Sequence, residues 1–449
     1  MKAMDDIFLP SLFPGEVLPP LNTLFEKSFD AVKSIQSIPL PLDTLKHRLN
    51  ETLQFHSQSK LSQKDILDTL IILAESWKEK SFPYRKVAEE WLPITTGFSR
   101  EMIRECLDIT LEEFKLDKLP QCFLERGFCN TESKFHLHIH AGNVFTSGLF
   151  GIIYGLLSLN PQLVKPSSEE PLFPWLFVHS IISLNPSLAA HLAYYNWPGG
   201  TKTHEEVVFA YSDKIFAYGD DNTISDMNNR IPSSVQFHGY GHKFSFGYIS
   251  NDNLWVEDFS EIARRIAYDV ALYEQQGCMS PHFILIESDS FDIVEKLGIK
   301  LAEEMNSFET KLPAGIKSIE EKSLIKSIRD ELSFQSSLNH GIKLLESNNS
   351  LNWTVVCLQN TQVPISCLNR FIYLVLFPKK ETIGELLKPF IGKIQAIGYW
   401  RDPKQLNGLT SELSALGVNR FCLLGEMQKP AIEERHRGKP NPEDFYEKY

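Results

Sequence analysis

The 449-residue sequence lacks a basic surplus: 57 acidic against 45 basic side chains leave a formal charge of −12. Nucleic-acid binding rests on neutralising phosphates with Lys and Arg, so this balance argues against a charge-steered DNA or RNA partner. Cysteine is scarce and scattered, at 106, 122, 129, 278, 357, 367 and 422, an odd set without a CxxC pair. That excludes a disulfide framework and fits a reducing cytoplasm. Glycine-rich phosphate loops of the familiar kinds are missing: there is no GxGxxG after a strand, no GxxxxGK[ST] and no GxSxG elbow. A nucleotide, if one binds, is held by another device. A secretory leader is not expected, because MKAMDDIFLPSLFPGEVLPP places two aspartates where a signal's basic region belongs and breaks the apolar run with prolines. Two uncharged stretches, 141–164 and 171–201, are long enough to test as membrane spans. The first holds Gly142, Gly148, Gly151 and Gly155 with Asn143 and Asn160; the second is cut by Pro174, Pro186 and Pro198 and carries His179 and His191. Both read better as buried parts of an α/β core than as transmembrane segments. Internal repeats and low-complexity tracts are absent too.

Apolar residues make up 43% of the chain and aromatics 11%, enough for sizeable cores in two or three domains. The first 120 residues read mainly as helices, with apolar faces over 62–80, where Ser62 and Asp65 make a capping-box-like start, and over 100–114. From Lys134 short β-branched or aromatic runs alternate with helical patterns. Strands are expected at 135–139, 163–165, 206–210, 214–217, 234–237, 246–249, 283–287, 353–357, 370–376 and 420–424. Helices are expected at 145–159, 172–184, 258–276 and 293–306. This alternation argues for parallel sheets with crossover helices. The charged, Pro-containing tail 433–449 reads as an exposed arm.

Three places could carry chemistry. Cys278, in Gln275-Gln276-Gly277-Cys278-Met279-Ser280-Pro281, follows a helix and precedes a buried strand, an abrupt turn that can expose a sulfur and surround it with backbone N–H groups. The plain alternative is a small buried residue. His136, His138 and His140 alternate along a strand and share one face, the spacing by which zinc takes two ligands from HxH, although no acidic or cysteine ligand is identifiable by spacing. His238-Gly239-Tyr240-Gly241-His242 reads as a glycine-rich turn, either approaching a ligand or filling space.

In order and spacing these segments resemble the aldehyde dehydrogenase superfamily and, within it, the acyl-CoA reductase (LuxC) family. His140-Ala141-Gly142-Asn143-Val144 resembles the segment with the oxyanion asparagine, and Asn160-Pro161-Gln162-Leu163-Val164-Lys165-Pro166-Ser167-Ser168-Glu169 the cofactor lysine strand. Phe216-Ala217-Tyr218-Gly219-Asp220 resembles the nicotinamide-side glycine turn; His238 to Ser245, Glu274 to Pro281 and Gly417-Val418-Asn419-Arg420 complete a series that covers about Pro93 to Gly425.

The resemblance implies an aldehyde-dehydrogenase-like α/β fold: an N-terminal helical region (1–120) joined to a Rossmann-like NADP-binding domain (121–238), a catalytic cysteine domain (239–425), a small oligomerisation element and a C-terminal arm (426–449). It implies NADPH-dependent reduction of a fatty acyl thioester, on CoA or an acyl carrier, to a fatty aldehyde. Cys278 would be the nucleophile, Asn143 the oxyanion donor and His238 an acid/base. Lys165, Ser167, Ser168, Gly219 and Asp220 would hold the cofactor. His238 stands where aldehyde-oxidising relatives carry a water-activating glutamate, which fits an acyl-enzyme not meant for hydrolysis. Ser168 stands where an acid would bond an unmodified ribose, which leaves room for a 2′-phosphate. The glutamate segment that holds the nicotinamide ribose is not evident near 364–370. A homo-oligomer is implied, with an acyl-protein synthetase and an acyltransferase as partner subunits. Alternatives are an acyl-phosphate reductase or aldehyde dehydrogenase of the same superfamily, a zinc-dependent hydrolase on the His136/His138/His140 strand, and a catalytically silent scaffold.

Overall fold

The computed structural model describes residues 5–26, 32–114, 133–251, 254, 258–338, 341–359, 363–377, 383–401, 406, 409–418, 420–430, 435–436 and 439–440. Cys122, Cys129, Asn419 and most of the expected C-terminal arm lie outside them. The chain divides into two compact units, one built on residues 1–242 and the other on 243–430, with short pieces of the tail shared between them.

The first unit is centred on a five-stranded, all-parallel sheet in the order β5-β4-β3-β6-β7. Its strands are β3 (His136–Ile139), β4 (Gln162–Lys165), β5 (Leu192–Tyr194), β6 (Lys214–Tyr218) and β7 (Gln236–Tyr240). Ile139 lies opposite both Lys165 and Ala217, so the carboxyl ends of β4, β3 and β6 finish level. The chain winds outward from β3 in both directions, which puts the switch point of this doubly wound sheet between β3 and β6.

Four N-terminal helices pack onto this unit: α1 (Leu42–Ser57), α2 (Gln63–Lys78), α3 (Pro83–Thr96) and α4 (Arg100–Glu113). The expected capping box is present, with Ser62 accepting from Asp65 N and the Asp65 carboxylate taking Ser62 N–H, which satisfies two donors at the start of the helix. Ile66, Leu70, Leu73 and Trp77 line the buried face of α2, and Trp77 Nε1 donates to Ser180 Oγ at 3.1 Å. Ser180 belongs to α6 (Leu172–Leu184), which follows the crossover helix α5 (Leu149–Leu157); both are almost wholly buried. The two uncharged stretches are therefore core, and among the described residues no helix is long and apolar enough to cross a membrane.

Two expectations for this unit need correction. The segment 206–210 is not a strand: Val207, Val208 and Phe209 lie within helix α7 (Lys202–Tyr211), where Glu205, Val208 and Phe209 are buried at helical spacing, so tertiary packing overrides the β-branched pair. His238, Gly239 and Tyr240 are not a turn but the end of β7, paired with Phe216, Ala217 and Tyr218. The N-terminal region also holds a parallel pair, β1 (Asp5–Leu9) with β2 (Val32–Ser37), and Leu12 exchanges two hydrogen bonds with Tyr194. That bridge covers the otherwise bare edge of β5. Helix α8 (Asp221–Arg230) connects β6 to β7.

The second unit carries a seven-stranded sheet, β10-β11-β12-β9-β8-β13-β14, in which only the β10–β11 pair is antiparallel. The strands are β8 (Phe244–Ile249), β9 (Pro281–Glu287), β10 (Ile342–Glu346), β11 (Thr354–Leu358), β12 (Phe371–Phe377), β13 (Ile394–Tyr399) and β14 (Arg420–Leu423). Helices α9 (Phe259–Ala271), α10 (Phe291–Lys311) and α11 (Ile319–Leu338) accompany it. The expected helix 258–276 stops at Ala271, and the chain reaches the cysteine through a short left-handed turn.

Candidate active site

The nucleophile turn lies in the second unit at the amino end of β9. Cys278 is exposed. Ser245 Oγ, fully buried on β8, donates to the Cys278 carbonyl at 2.8 Å and accepts Ala396 N–H at 3.0 Å, which fixes the peptide plane behind the sulfur. Solvent reaches the residue, yet protein crowds the thiol enough that desolvation pushes its pKa up; Lys243 and Arg420 oppose this by favouring thiolate. Gln428 bonds Ser280 Oγ from the far side, and a Cβ on Gly277 would stand 3.0 Å from the Gln428 amide oxygen. Arg420 holds the segment that delivers Gln428, donating to the carbonyls of Met427 (2.6 Å), Glu426 (3.1 Å) and Lys429 (3.0 Å). Asp269 holds the same segment from below, accepting Gly425 N–H at 2.6 Å and Met427 N–H at 3.0 Å.

The remaining expected residues gather along the carboxyl edge of the sheet in the first unit. Asn143 is exposed on the loop after β3. Gly142 on that loop lies against Ser167: a Cβ would come 2.7 Å from Ser167 Oγ. Lys165 ends β4 and is buried, with its ammonium over the Trp197 ring at 5.5 Å. Among the described residues no carboxylate lies within ion-pair distance of it, and burial lowers its pKa to about 8 despite the Glu205 charge. Trp197 Nε1 is buried with no hydrogen-bond partner among the described residues. A buried cation and an unpaired indole N–H side by side fit a polar ligand with ribose or phosphate oxygens, so these residues suit a dinucleotide. Ser167 is half-buried and accepts Glu169 N–H at 3.2 Å, while Ser168 and Glu169 are exposed.

Gly219 has a negative φ, and a Cβ there would meet only Thr223 and Ile224 at 3.5 Å or more, so nothing in the fold demands glycine. Asp220 has a structural occupation: it caps α8, taking Thr223 N–H at 2.9 Å and Thr223 Oγ1 at 2.7 Å, bonds that hold its pKa down. A carboxylate already fills that helix start, which leaves no anion site there.

His238 is half-buried and stacks on Phe216 (5.0 Å, 16°), which stacks in turn on His138 (5.2 Å, 14°). One step nearer the rim Tyr218 stacks on Tyr240 (4.6 Å, 13°). The strand histidines are thus part of an aromatic ladder. Burial keeps them neutral, with pKa values lowered to about 3 at His138 and about 4 at His140 and well below the usual range at His136. Among the described residues no three His, Cys, Asp or Glu side chains converge as a metal requires, so the zinc-hydrolase alternative lacks a ligand set.

Residues 58–447 match the family described as Acyl-CoA reductase (LuxC). The chain belongs to this family. Among relatives of the LuxC family, the long-chain acyl-protein thioester reductase of Vibrio harveyi is 22% identical over 438 residues, 93% of this chain and 87% of that one. The protein of the same description from Photorhabdus laumondii is 25% identical and matches 74% of this chain and 72% of its own. The fold is that of the aldehyde dehydrogenases: methylmalonate-semialdehyde dehydrogenase from Oceanimonas doudoroffii aligns with a TM-score of 0.69 over 99% of this chain and 96% of its own at 10% identity. An oxidoreductase from Marinobacter aquaeolei aligns at 0.66 over 86% and 83%, at 13% identity.

Trp197, Ser245, Gln275, Arg370 and Gln428 were not singled out from sequence. Only Trp197 carried a usable signal, an aromatic just past a strand beside Lys165 in the sheet order.

Proposed function

We propose that this protein reduces a long-chain acyl thioester to the fatty aldehyde, with NADPH as reductant and an acyl group carried on Cys278. The observation that carries this reading is an exposed cysteine on a turn whose carbonyl is held from behind by Ser245, in a chain of the acyl-CoA reductase family. The relatives named acyl-protein thioester reductases support a protein-bound acyl donor beside acyl-CoA.

In this reading Cys278 Sγ loses its proton and attacks the thioester carbonyl; the donor's thiol leaves with a proton, and the acyl group stays on sulfur. Asn143 Nδ2 and the Cys278 N–H stabilise the oxyanion, a contribution of roughly 3–4 kcal/mol per donor in comparable sites. When bound, the nicotinamide supplies the hydride that turns the acyl carbon into a hemithioacetal. Collapse of that adduct breaks the C–S bond, restores the Cys278 thiolate and releases aldehyde. His238, held upright by its stack on Phe216, exchanges the protons. Lys165 and Ser167 receive the adenosine ribose, and the exposed Ser168 leaves room for a 2′-phosphate.

Two measurements test the reading. Labelled acyl-CoA without NADPH should leave hydroxylamine-sensitive label on Cys278, and label that persists in Cys278→Ala overturns it. Oxidation of NADPH and NADH should be compared over a series of acyl-CoA chain lengths and with an acyl-protein. Ser168→Glu should weaken NADPH and spare NADH by charge repulsion; an unchanged preference moves the phosphate elsewhere.

A further inference from the structure

The turn leading to Cys278 is left-handed at three successive residues with side chains: Tyr273 (φ 52°), Glu274 (53°) and Gln275 (64°). L-residues avoid this region, because Cβ crowds the following carbonyl, and they stay there only when their surroundings over-determine them. A second run of the same kind, Leu368 (66°), Asn369 (58°) and Arg370 (63°), stands just before β12.

The two runs hold each other. Asn369 N–H donates to the Glu274 carbonyl at 2.9 Å. The Gln275 amide behaves like a length of strand, accepting Phe371 N–H at 2.8 Å and donating to the carbonyls of Phe371 at 3.0 Å and Pro281 at 2.7 Å. At the centre the Arg370 guanidinium donates to Glu274 Oε1 at 2.6 Å; the first residue is fully buried and the second 2% exposed. Gly315 N–H (3.2 Å) and the Lys317 ammonium (3.8 Å) complete the surroundings of the carboxylate. A buried ion pair seldom outperforms apolar packing of the same volume, so stability alone is a weak reason for it. Geometry is a better one: the pair ties the middle of one left-handed run to the end of the other, four residues before the sulfur.

We propose that Glu274 and Arg370 are positioning residues. Their ion pair holds the left-handed turn, so that Cys278 meets the acyl carbonyl with its sulfur and its own N–H correctly placed. This rests on the reading of Cys278 as the acyl acceptor.

Single-turnover acylation of Cys278 by labelled acyl-CoA tests it. Arg370→Gln breaks the pair and leaves the strain, so the acylation rate at saturating acyl-CoA should fall by about 10- to 100-fold with little change in the half-saturating concentration. Glu274→Gln, which keeps an acceptor for Arg370 and Gly315 and so protects the fold, should show a smaller loss of the same kind. Glycine takes a φ near +53° without penalty. Glu274→Gly in the Arg370→Gln background should therefore recover most of the lost rate although its melting temperature stays low, and Glu274→Gly alone should acylate faster than Glu274→Gln. A purely structural role makes rate follow stability, and glycine then rescues nothing. The proposal is overturned by that result, or by wild-type acylation rates in folded Arg370→Gln and Glu274→Gln. Failure of the Cys278 reading shows separately, as wild-type protein that takes no hydroxylamine-sensitive label at Cys278.

Discussion

At Cys278 two effects oppose one another, and burial prevails over the positive charges of Lys243 and Arg420. The thiolate is the reactive form, so alkylation by iodoacetamide should climb with pH at more alkaline values than for an ordinary cysteine. Lys243→Gln removes a charge that favours thiolate and should displace the profile further upward; an unmoved profile would show that Lys243 does not act on the sulfur. Beneath the same turn Asp269 is fully buried, and its pKa rises from 3.8 to about 7, burial outweighing its two backbone hydrogen bonds. Across that window the folded state keeps a proton that the unfolded chain has lost, so this group's contribution to stability falls as pH rises. Melting temperatures should drop between about pH 4 and pH 7, and Asp269→Asn should flatten the slope. Cys278, Asn143 and Lys165 were legible in the sequence because short segments around them carry the family pattern. Their supports were not. Ser245 lies 33 residues from Cys278, Arg370 96 from Glu274 and Gln428 148 from Ser280, and no local pattern encodes a hydrogen bond over such separations.

Elements with a strong local signal declare themselves in the sequence, and those decided by packing do not. The buried face of α2 and the apolar run of α6 state their structure locally, whereas Val207 and Val208 in α7 favour a strand until the sheet beneath them is known. Strand β13 went unseen because Ala396 and Gly398 weaken its pattern; Gly398 is needed there, since a Cβ would run into Met427 and Leu424. A similar constraint joins α5 to the Asn143 loop. Gly148, the residue before α5, packs directly on the His140 ring, and a Cβ on it would overlap that ring. His140 begins the loop that carries Asn143, so the contact fixes where that loop leaves β3. Gly148→Ala should cost about 1–3 kcal/mol of stability through overpacking and lower turnover. His140→Ala together with Gly148→Ala makes room for the new methyl group and should restore part of both. Thermal melts and acyl-CoA reduction rates check this, and a double variant no better than Gly148→Ala would place the strain elsewhere.

For the molecule as a whole, the order of segments along the chain carries the family and the fold, while the packing of His238 is visible only across three strands. In the proposed mechanism a thioester on Cys278 is open to attack by water, so the protein must deny water either entry or a base to activate it. The family resemblance sets His238 where aldehyde-oxidising members carry a carboxylate. Here the ring is not free to swing like a carboxylate on a flexible stem, because it lies flat on Phe216, itself flat on His138. An imidazole so restrained is poorly placed to follow a mobile water. Acyl-CoA without NADPH should accordingly be consumed in one slow stoichiometric turnover with little free fatty acid. His238→Glu gives up the stack and introduces a mobile base, so free acid should form faster. Aldehyde formation should fall in the same variant, because a carboxylate cannot donate a proton as imidazole does near neutral pH. Steady conversion of acyl-CoA to fatty acid by the wild-type protein without NADPH would replace the reductase with a thioesterase.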